Sequence, residues 1–299
     1  MRSPEFFIVG APKCGTTFLA QYLSKHPQVF VAAGEPHYFG SDLRFTTRRI
    51  SLEEYLALFK SADSSQAAGE KSPHYLFSDR AATEIKAFCP AAKIIIMLRD
   101  PVDMIWSLHG QKLRSLNEDI ADLEEALAAE DERSRGLRIP DTNVFPRGLL
   151  YTQVARFAPQ VARFLDVFPR EQVRVWLFDD LTADADGLLD RVIGFLGVPA
   201  RERERVLPVN PARALKSRRV QRLMLRPPRA VSAGARMLLP RRVRRGVFRA
   251  VSSMNTGPDE RGAMPRELRR TLGRRFEADV RELEALLGLD LSAWIASWQ

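Results

Sequence analysis

The sequence predicts an α/β fold, a single domain in which a central parallel sheet is flanked by helices. Short apolar segments alternate along the chain with segments whose apolar residues recur at helical spacing. The apolar segments are hydrophobic throughout, which is typical of strands that are buried on both faces. With 299 residues the chain is long enough to bury a large core.

The first element is a predicted strand over residues 6–9, followed by a helix with apolar residues at 18, 19, 22 and 23. The loop between them contains Gly10 and Gly15, whose separation is that of the nucleotide-binding P-loop. Lys13 lies inside the loop, however, and Thr16 stands where the P-loop has its lysine. Because a helix that starts after such a loop points N–H groups and its dipole at one place, the segment predicts a P-loop-like phosphate site rather than an ordinary strand-turn-helix connection.

Later segments predict the other elements in turn. Further strands and strand ends are expected at 29–33, 67–73, 93–98 and 173–178. Helices are expected at 51–60, 79–88, from Pro101 onward, and at 118–132, 148–168, 188–196 and 265–287. The stretch 133–146 is expected to be a loop, 199–262 to form long loops and short helices, and 290–298 to be a short docking segment.

No internal repeat or low-complexity linker divides the chain, so residues 1–299 are interpreted as one domain. It has a core over 5–198, a basic region over 199–262 and C-terminal helices over 263–299. The net charge of +9 is uneven, because residues 201–250 contain 16 Arg and Lys against 2 Glu. Such a block is a solvated surface, an electropositive flap over an anionic ligand, or a patch for nucleic acid or a membrane surface.

The composition also excludes some classes of protein. No apolar run is long enough for a membrane span, and because the first predicted strand starts within a few residues of Met1 we expect no signal peptide. The two cysteines, Cys14 and Cys89, do not make a disulfide framework, so we expect a cytoplasmic protein. Histidines and cysteines lack ligand spacing, so no metal site is expected.

Four charged residues follow predicted strands: Lys13, Glu35, Lys71 and Arg99. Because parallel sheets bind ligands at the carboxyl ends of their strands, these side chains are expected to meet in one crevice. Arg99 and Ser107, eight positions apart, would suit a second phosphate, although Arg99 could instead pair with a neighbouring aspartate.

These segments resemble the motifs of a known family. Residues 10–17 (GAPKCGTT) look like the 5′-phosphosulfate loop of sulfotransferases that use 3′-phosphoadenosine 5′-phosphosulfate (PAPS), and 99–107 (RDPVDMIWS) look like their 3′-phosphate motif. Residues 35–39 (EPHYF) and 70–75 (EKSPHY) are similar to motifs of the carbohydrate, heparan-sulfate-type and bacterial branch.

The resemblance implies sulfuryl transfer from PAPS to an acceptor hydroxyl of a carbohydrate or a bacterial small metabolite, with 3′-phosphoadenosine 5′-phosphate (PAP) as product and no metal. It implies Glu35 as general base, Lys13 and Lys71 as stabilisers of charge on the transferring and leaving oxygens, and a histidine, His37 or His109, that shares or replaces the role of Glu35. The residues implied to bind PAPS are Lys13, Cys14, Gly15, Thr16, Thr17, Arg99, Ser107, Lys216, Ser217 and Arg218.

Two other functions remain open from the residues. A nucleotide kinase or NTPase would need a lysine after the second glycine and a Mg²⁺-binding aspartate, for which Asp100 is the candidate. A non-enzymatic protein would bind nucleic acid or anionic lipid through the basic region, but that region has few aromatic residues for base stacking. We therefore expect no nucleic-acid partner and no stable membrane insertion, whereas the acceptor and the oligomeric state cannot be read from the sequence.

Overall fold

The computed structural model describes residues 2–199, 213–215, 217, 220, 243, 251, 255–258 and 261–299. A five-stranded sheet organises them, with the order β2-β3-β1-β4-β5 and every neighbouring pair parallel. The strands are β1 (Phe6–Gly10), β2 (Val29–Val31), β3 (Ala67–Lys71), β4 (Lys93–Leu98) and β5 (Val173–Leu177). The predicted fold class, an α/β domain with a central parallel sheet, is confirmed.

Helices follow most strands and cover the sheet. Those between the strands are α1 (Thr16–Leu23), α2 (Leu52–Ala57), α3 (Ala81–Phe88), α4 (Pro101–Arg114), α5 (Leu123–Ala128), α6 (Glu130–Ser134), α7 (Tyr151–Val154) and α8 (Phe157–Val167). Those after β5 are α9 (Phe178–Ala183), α10 (Ala185–Leu196), α11 (Arg266–Leu287) and α12 (Ser292–Ala296). Two 3₁₀ turns, at Pro146–Leu149 and Arg170–Gln172, complete these elements. None of the helices that the structure describes combines the length and apolar composition of a transmembrane span.

The centre of the sheet is the centre of the core. All five residues of β1 are buried, and so are all residues of β4 after Lys93. Phe6 lies opposite Gly69 of β3 and Lys93 of β4 in the register. Because β1 is the middle strand, the loop that follows it lies at the centre of the carboxyl edge, between the ends of β3 and β4.

The stretch predicted as one helix over 148–168 is broken, and this prediction is wrong. Helix α7 ends at Val154, Arg156 has an extended ψ of 93°, and α8 begins at Phe157. The Asp279 carboxylate of α11 accepts the Phe157 N–H at 2.9 Å and so caps α8 from 122 residues away. A cap supplied by tertiary structure leaves no trace in the local apolar periodicity.

Other boundaries differ for similar reasons. The acidic helix predicted at 118–132 begins only at Leu123, because the Asp122 side chain caps it, and it is interrupted at Ala129. Helix α9 was not predicted, because the apolar residues that end β5 continue directly into it. In the region predicted as loops and short helices, β6 (Arg213–Leu215) and β7 (Thr256–Pro258) form an antiparallel pair.

The predicted docking segment at the C-terminus packs on the start of α4. Asp100 caps α4, and its carboxylate accepts hydrogen bonds from Ser297 Oγ at 3.0 Å and from Trp298 Nε1 at 2.9 Å. Pro101 occupies the first helical position, where a missing N–H costs nothing. These contacts stabilise the element that follows Arg99 and so help to fix the direction of α4.

Candidate active site

The loop after β1 has an unusual backbone that the sequence accounts for in part. Lys13 has φ 64° and Gly15 has φ 87°, both in the left-handed region, where only glycine is free of steric cost. A Cβ at Gly15 would lie 2.8 Å from Leu181 Cδ2, so a side chain there would collide with α9. A non-glycine residue held in this conformation is typical of ligand-binding loops.

The Lys13 side chain is mostly buried among positive charges. Within the described part of the chain, no hydrogen bond or ion pair engages its ammonium group. Burial lowers the pKa of Lys13, and the nearby cations Arg114 and Arg99 lower it further. Since α1 starts at Thr16, the first N–H groups of that helix also lack intrahelical acceptors. The loop therefore concentrates positive charge and N–H donors at one point.

Cys14 points away from that point. Its Sγ is fully buried and contacts the Pro12 carbonyl oxygen at 3.4 Å, while its backbone N–H bonds to the Ala11 carbonyl. Burial raises the pKa of the Cys14 thiol to about 12. The sequence placed Cys14 among the ligand-binding residues, but the structure turns both of its hydrogen-bonding groups into the protein.

Lys71, the last residue of β3, joins two of the predicted motifs. Its Nζ donates to Thr17 Oγ1 at 3.1 Å and to Glu35 Oε1 at 2.5 Å. The Lys71 side chain is 9% exposed and the Glu35 side chain is 39% exposed. Of these two side chains, solvent therefore reaches mainly the Glu35 carboxylate. The phosphate loop and the predicted base thus lie on two sides of one ammonium group.

His37 lies beside the Glu35 carboxylate in a strained loop. Its φ is 45°, its Nδ1 is 3.1 Å from the Glu35 carbonyl oxygen, and its Nε2 is 3.9 Å from Glu35 Oε2. Nε2 is buried without a hydrogen-bond partner. Burial is the largest influence on His37 and lowers its pKa, so the ring is neutral at pH 7. A neutral imidazole next to a carboxylate can accept or relay a proton but adds no charge.

Arg99 directly follows β4, and its side chain reaches Asp103, which lies four residues before Ser107 on the same face of α4. Its guanidinium is 4.8 Å from the centre of the Phe178 ring and pairs with Asp103 at 3.3 Å. The alternative that Arg99 pairs with a neighbouring aspartate is therefore present in the structure. Asp103 is shared, however, because Arg269 of α11 also binds its carboxylate. Ser107 is half-buried one turn further along α4.

The residues predicted at 216–218 are only partly described. The backbone of Ser217 is held by the buried Asn255, which accepts from its N–H and donates to its carbonyl oxygen, both at 3.0 Å. Lys216 and Arg218 lie outside the described residues. Nearby, Arg261 stacks on Trp106 at 4.6 Å and donates to the Trp106 carbonyl oxygen. Arg261 thereby brings a further cation to the turn of α4 that carries Ser107.

Two other candidates have structural roles. His109 is buried, contacts the Ile120 carbonyl oxygen at 3.0 Å and packs edge-on against Tyr151, with no described contact to Glu35. Asp100, the candidate Mg²⁺ ligand of a kinase, is a helix cap whose carboxylate oxygens are occupied by the contacts described above. No group of side chains suited to a metal ion occurs among the described residues.

Sequence reasoning missed several residues of the site. Arg114 is close enough to Lys13 to lower its pKa, although it stands at the far end of α4. Glu70 was quoted in a motif without a role, yet its fully buried carboxylate accepts three hydrogen bonds, from Tyr55, Ser72 and Tyr75. A glutamate inside an otherwise apolar strand was the signal that could have identified it.

The assembled geometry can be compared with known proteins. Residues 3–223 match the sulfotransferase domain family. This chain belongs to that family. The predicted family is confirmed.

Individual relatives agree with this assignment. Heparan sulfate glucosamine 3-O-sulfotransferase 3B1 of Mus musculus is 30% identical over 195 residues, which cover 65% of this chain and 46% of that protein. Carbohydrate sulfotransferase 15 of Mus musculus is 29% identical over 259 residues, covering 68% and 46%. The chain thus spans about half the length of these curated relatives. The crystal structure of a sulfotransferase from Alicyclobacillus acidocaldarius is 30% identical, with a TM-score of 0.71, and covers 98% of this chain and 99% of that one.

Proposed function

We propose that this protein transfers the sulfuryl group of PAPS to a hydroxyl group of an acceptor, with Glu35 as the general base. The observation that carries the proposal is the Lys71 ammonium, which bonds to Thr17 of the phosphate loop and to Glu35 at the same time. A base that abstracts a hydroxyl proton must lie close to the sulfur that the oxygen attacks. Lys71 supports that arrangement because it connects the two groups directly.

The donor is proposed to bind at the loop after β1. The 5′-phosphosulfate needs N–H donors and positive charge, which the start of α1 and the partly buried Lys13 ammonium would supply. The 3′-phosphate is proposed to bind Arg99 and Ser107, with Ser217 and the neighbouring Lys216 and Arg218 covering the nucleotide. Arg114 and Arg261 strengthen the positive potential around these contacts.

The proposed reaction is an in-line displacement at sulfur. The acceptor oxygen forms a bond to sulfur while the bond from sulfur to the bridging phosphate oxygen breaks, which releases PAP. Glu35 takes the acceptor proton, and Lys13 and Lys71 stabilise the negative charge that grows on the sulfuryl and phosphate oxygens. His37, neutral and 3.9 Å from the Glu35 carboxylate, is proposed to pass that proton on or to orient the acceptor.

The acceptor is proposed to be a carbohydrate hydroxyl, and a small metabolite is the second candidate. Two of the relatives are named for sulfating heparan sulfate glucosamine and carbohydrates. The exposed end of Glu35 gives a hydroxyl on a large substrate access to the base.

The proposal is tested with ³⁵S-labelled PAPS and two acceptors, a heparan-sulfate-type oligosaccharide and 4-nitrophenol. We expect label on the oligosaccharide with the wild type and its loss with Glu35→Gln, whereas Glu53→Gln, an exposed glutamate of α2, retains activity. If only 4-nitrophenol becomes labelled, the acceptor is a small molecule and not a carbohydrate. If Glu35→Gln still transfers label, Glu35 is not the general base. A folded wild type that neither transfers label nor binds PAP would contradict the whole proposal.

A further inference from the structure

Glu70 lies next to Lys71 in β3 but faces the opposite side of the sheet. Successive side chains of a strand alternate between its faces, so Lys71 points toward the phosphate loop while Glu70 points into the core. Glu70 has no exposed surface. A carboxyl group buried in this way is costly unless it is fully hydrogen-bonded, so its partners indicate what it is for.

Three hydroxyl groups converge on the Glu70 carboxylate. Tyr55 OH donates to Oε1 at 2.6 Å, Tyr75 OH donates to Oε1 at 3.1 Å, and Ser72 Oγ donates to Oε2 at 2.7 Å. They come from α2 and from the turn after β3. No charged side chain hydrogen-bonds to Glu70 among the described residues, so the carboxylate is stabilised by hydroxyl groups rather than by an ion pair.

Each of these three groups also holds one residue of the loop that carries Glu35. Ser72 Oγ accepts the His37 N–H at 3.1 Å. Tyr75 OH accepts the Phe39 N–H at 3.1 Å. The Tyr55 ring stacks on Tyr38 at 4.4 Å with an angle of 13° between the ring planes. Three consecutive residues, 37 to 39, are therefore attached to a single carboxylate through three intermediates.

The Glu70 carboxylate also fixes the direction in which the neighbouring hydroxyl groups donate their protons. Because Ser72 and Tyr75 each donate their one proton to Glu70, their lone pairs are left to accept the loop amides. A protonated Glu70 would donate to one of the three hydroxyl oxygens, and a Ser72 or Tyr75 hydroxyl that accepted this proton would have to turn its own proton away from Glu70. The ionised form of Glu70 thus favours the orientation in which both of these oxygens accept the loop amides.

We propose that Glu70 is a positioning residue, whose carboxylate orders Tyr55, Ser72 and Tyr75 so that residues 37–39 hold Glu35 against the Lys71 ammonium. The consequence for catalysis rests on the proposed function, in which Glu35 is the base. The consequence for the loop does not, because it concerns hydrogen bonds of the ligand-free protein.

The titration of Glu70 agrees with this arrangement. Burial raises the pKa of Glu70 to about 7, and the three hydroxyl donors oppose that rise. The titratable groups around it are the phenols of Tyr55 and Tyr75, whose own pKa values are raised far above neutrality. Beyond them, Lys71 lies on the other face of β3, and the His37 ring is 6.1 Å from that of Tyr75. Catalysis should therefore weaken as the pH falls through about 7, where Glu70 gains its proton.

The first test is amide hydrogen exchange followed by NMR on the ligand-free chain. In Glu70→Gln the exchange of the His37 and Phe39 amides should become about tenfold faster, the factor expected when one hydrogen bond is weakened. The Leu19 amide in α1 should not change. The matched control is Glu130→Gln, another buried glutamate, which holds Thr152 instead of the loop. It should leave residues 37 and 39 at wild-type rates.

Unchanged exchange at residues 37 and 39 in Glu70→Gln would overturn the proposal, and so would a uniform increase that Glu130→Gln reproduces. If Glu70→Gln does not fold, Tyr55→Phe replaces it. That variant keeps the ring on Tyr38 but removes one donor to Glu70, and it should raise the same two exchange rates. No effect of Tyr55→Phe at residues 37 and 39 would count against the proposal in the same way.

The second test measures label transfer from ³⁵S-PAPS with the acceptor that the wild type uses. Glu70→Gln should lower kcat about tenfold at unchanged KM for PAPS, and the fall in kcat below pH 7 should disappear from its pH profile. Retention of that acid limb in Glu70→Gln would show that another group causes it and would contradict the proposal. If the wild type transfers no label, the proposed function fails, while the exchange experiment still decides the role of Glu70.

Discussion

The two halves of the site, which meet at Lys71, are stabilised in opposite ways. The donor half, made of Lys13, Thr17, Arg99 and the start of α1, contains a partly buried ammonium with no hydrogen-bond partner in the described part of the chain, and helix N–H groups without intrahelical acceptors. The acceptor half, made of residues 35–39 and their supports, is a closed hydrogen-bond network centred on the Glu70 carboxylate.

The difference separates groups that would gain their contacts only when a ligand binds from groups that already have them in the free protein. Neighbouring positive charges destabilise the free protein and are relieved when an anion binds, so the donor half is suited to the phosphosulfate that we propose it binds. The proposed base, Glu35, would have to be in place before the hydroxyl arrives, and residues 37–39 beside it are already held by buried hydroxyl groups. The predictions below separate these two sources of order.

The largest effect is expected at the base. Glu35→Gln keeps the size of the side chain but removes the proton acceptor, so label transfer should fall at least about a hundredfold. Calorimetric titration should show PAP affinity close to that of the wild type, because Glu35 belongs to the acceptor half. A loss of PAP binding in this variant would mean that the halves are not separate.

The pH dependence of stability should isolate Glu70. Its pKa in the folded state is about 7 against an ordinary value of 4.5, so its contribution to stability is complete below pH 4.5 and is lost as the pH rises through 7. A displacement of this size corresponds to about 3 kcal/mol of unfolding free energy. Because glutamine does not titrate, urea denaturation should show that the stability of the wild type relative to Glu70→Gln falls between pH 5 and pH 8. A difference that is the same at both pH values would contradict this.

The third effect concerns the 3′-phosphate. Arg99→Ala should weaken PAP binding about thirtyfold, because charge-assisted hydrogen bonds are lost while Arg269 still compensates Asp103. Calorimetry measures this, and Arg48→Ala is the control, since Arg48 forms an exposed pair with Glu54. If wild type and Arg99→Ala bind PAP with equal affinity, Arg99 does not bind the 3′-phosphate.

The smallest effect is expected for Lys13→Met, whose change in stability should have opposite signs without and with PAP. Lys13→Met removes a partly buried charge that lies close to other cations, so the ligand-free protein should become more stable by about 1 kcal/mol. With saturating PAP the order should reverse, because the wild type gains more from the ligand. Thermal unfolding with and without PAP measures both. If the ligand-free Lys13→Met variant is less stable than the wild type, the Lys13 charge has a stabilising interaction in the free protein, which would contradict this prediction.

Local patterns were sufficient to predict the donor half. Residues 10–17 have their glycines, lysine and threonines within eight positions, and an apolar strand precedes them, so the strand, the loop and the helix that follows could be predicted. Strands such as 93–98 are apolar throughout and were placed correctly, and the residues after them meet at one edge because the sheet is parallel.

The acceptor half depends on contacts between distant segments, which no local pattern reports. Tyr55 and Glu70 lie on different elements, and their hydrogen bond exists only because α2 packs near the end of β3. The break before Phe157 has the same origin, since Asp279 supplies its cap. Cys14 was grouped with the ligand-binding residues because it lies between Lys13 and Gly15, but the direction of its side chain is set by a left-handed loop.

The contrast between the halves is tested most directly by amide hydrogen exchange with and without PAP. Saturating PAP should protect the amides of residues 13–18 strongly, because the ligand supplies the acceptors that the start of α1 lacks. The amides of His37 and Phe39 should change little, since Ser72 and Tyr75 already hold them. Protection that appears at residues 35–39 while residues 13–18 stay unchanged would contradict the account.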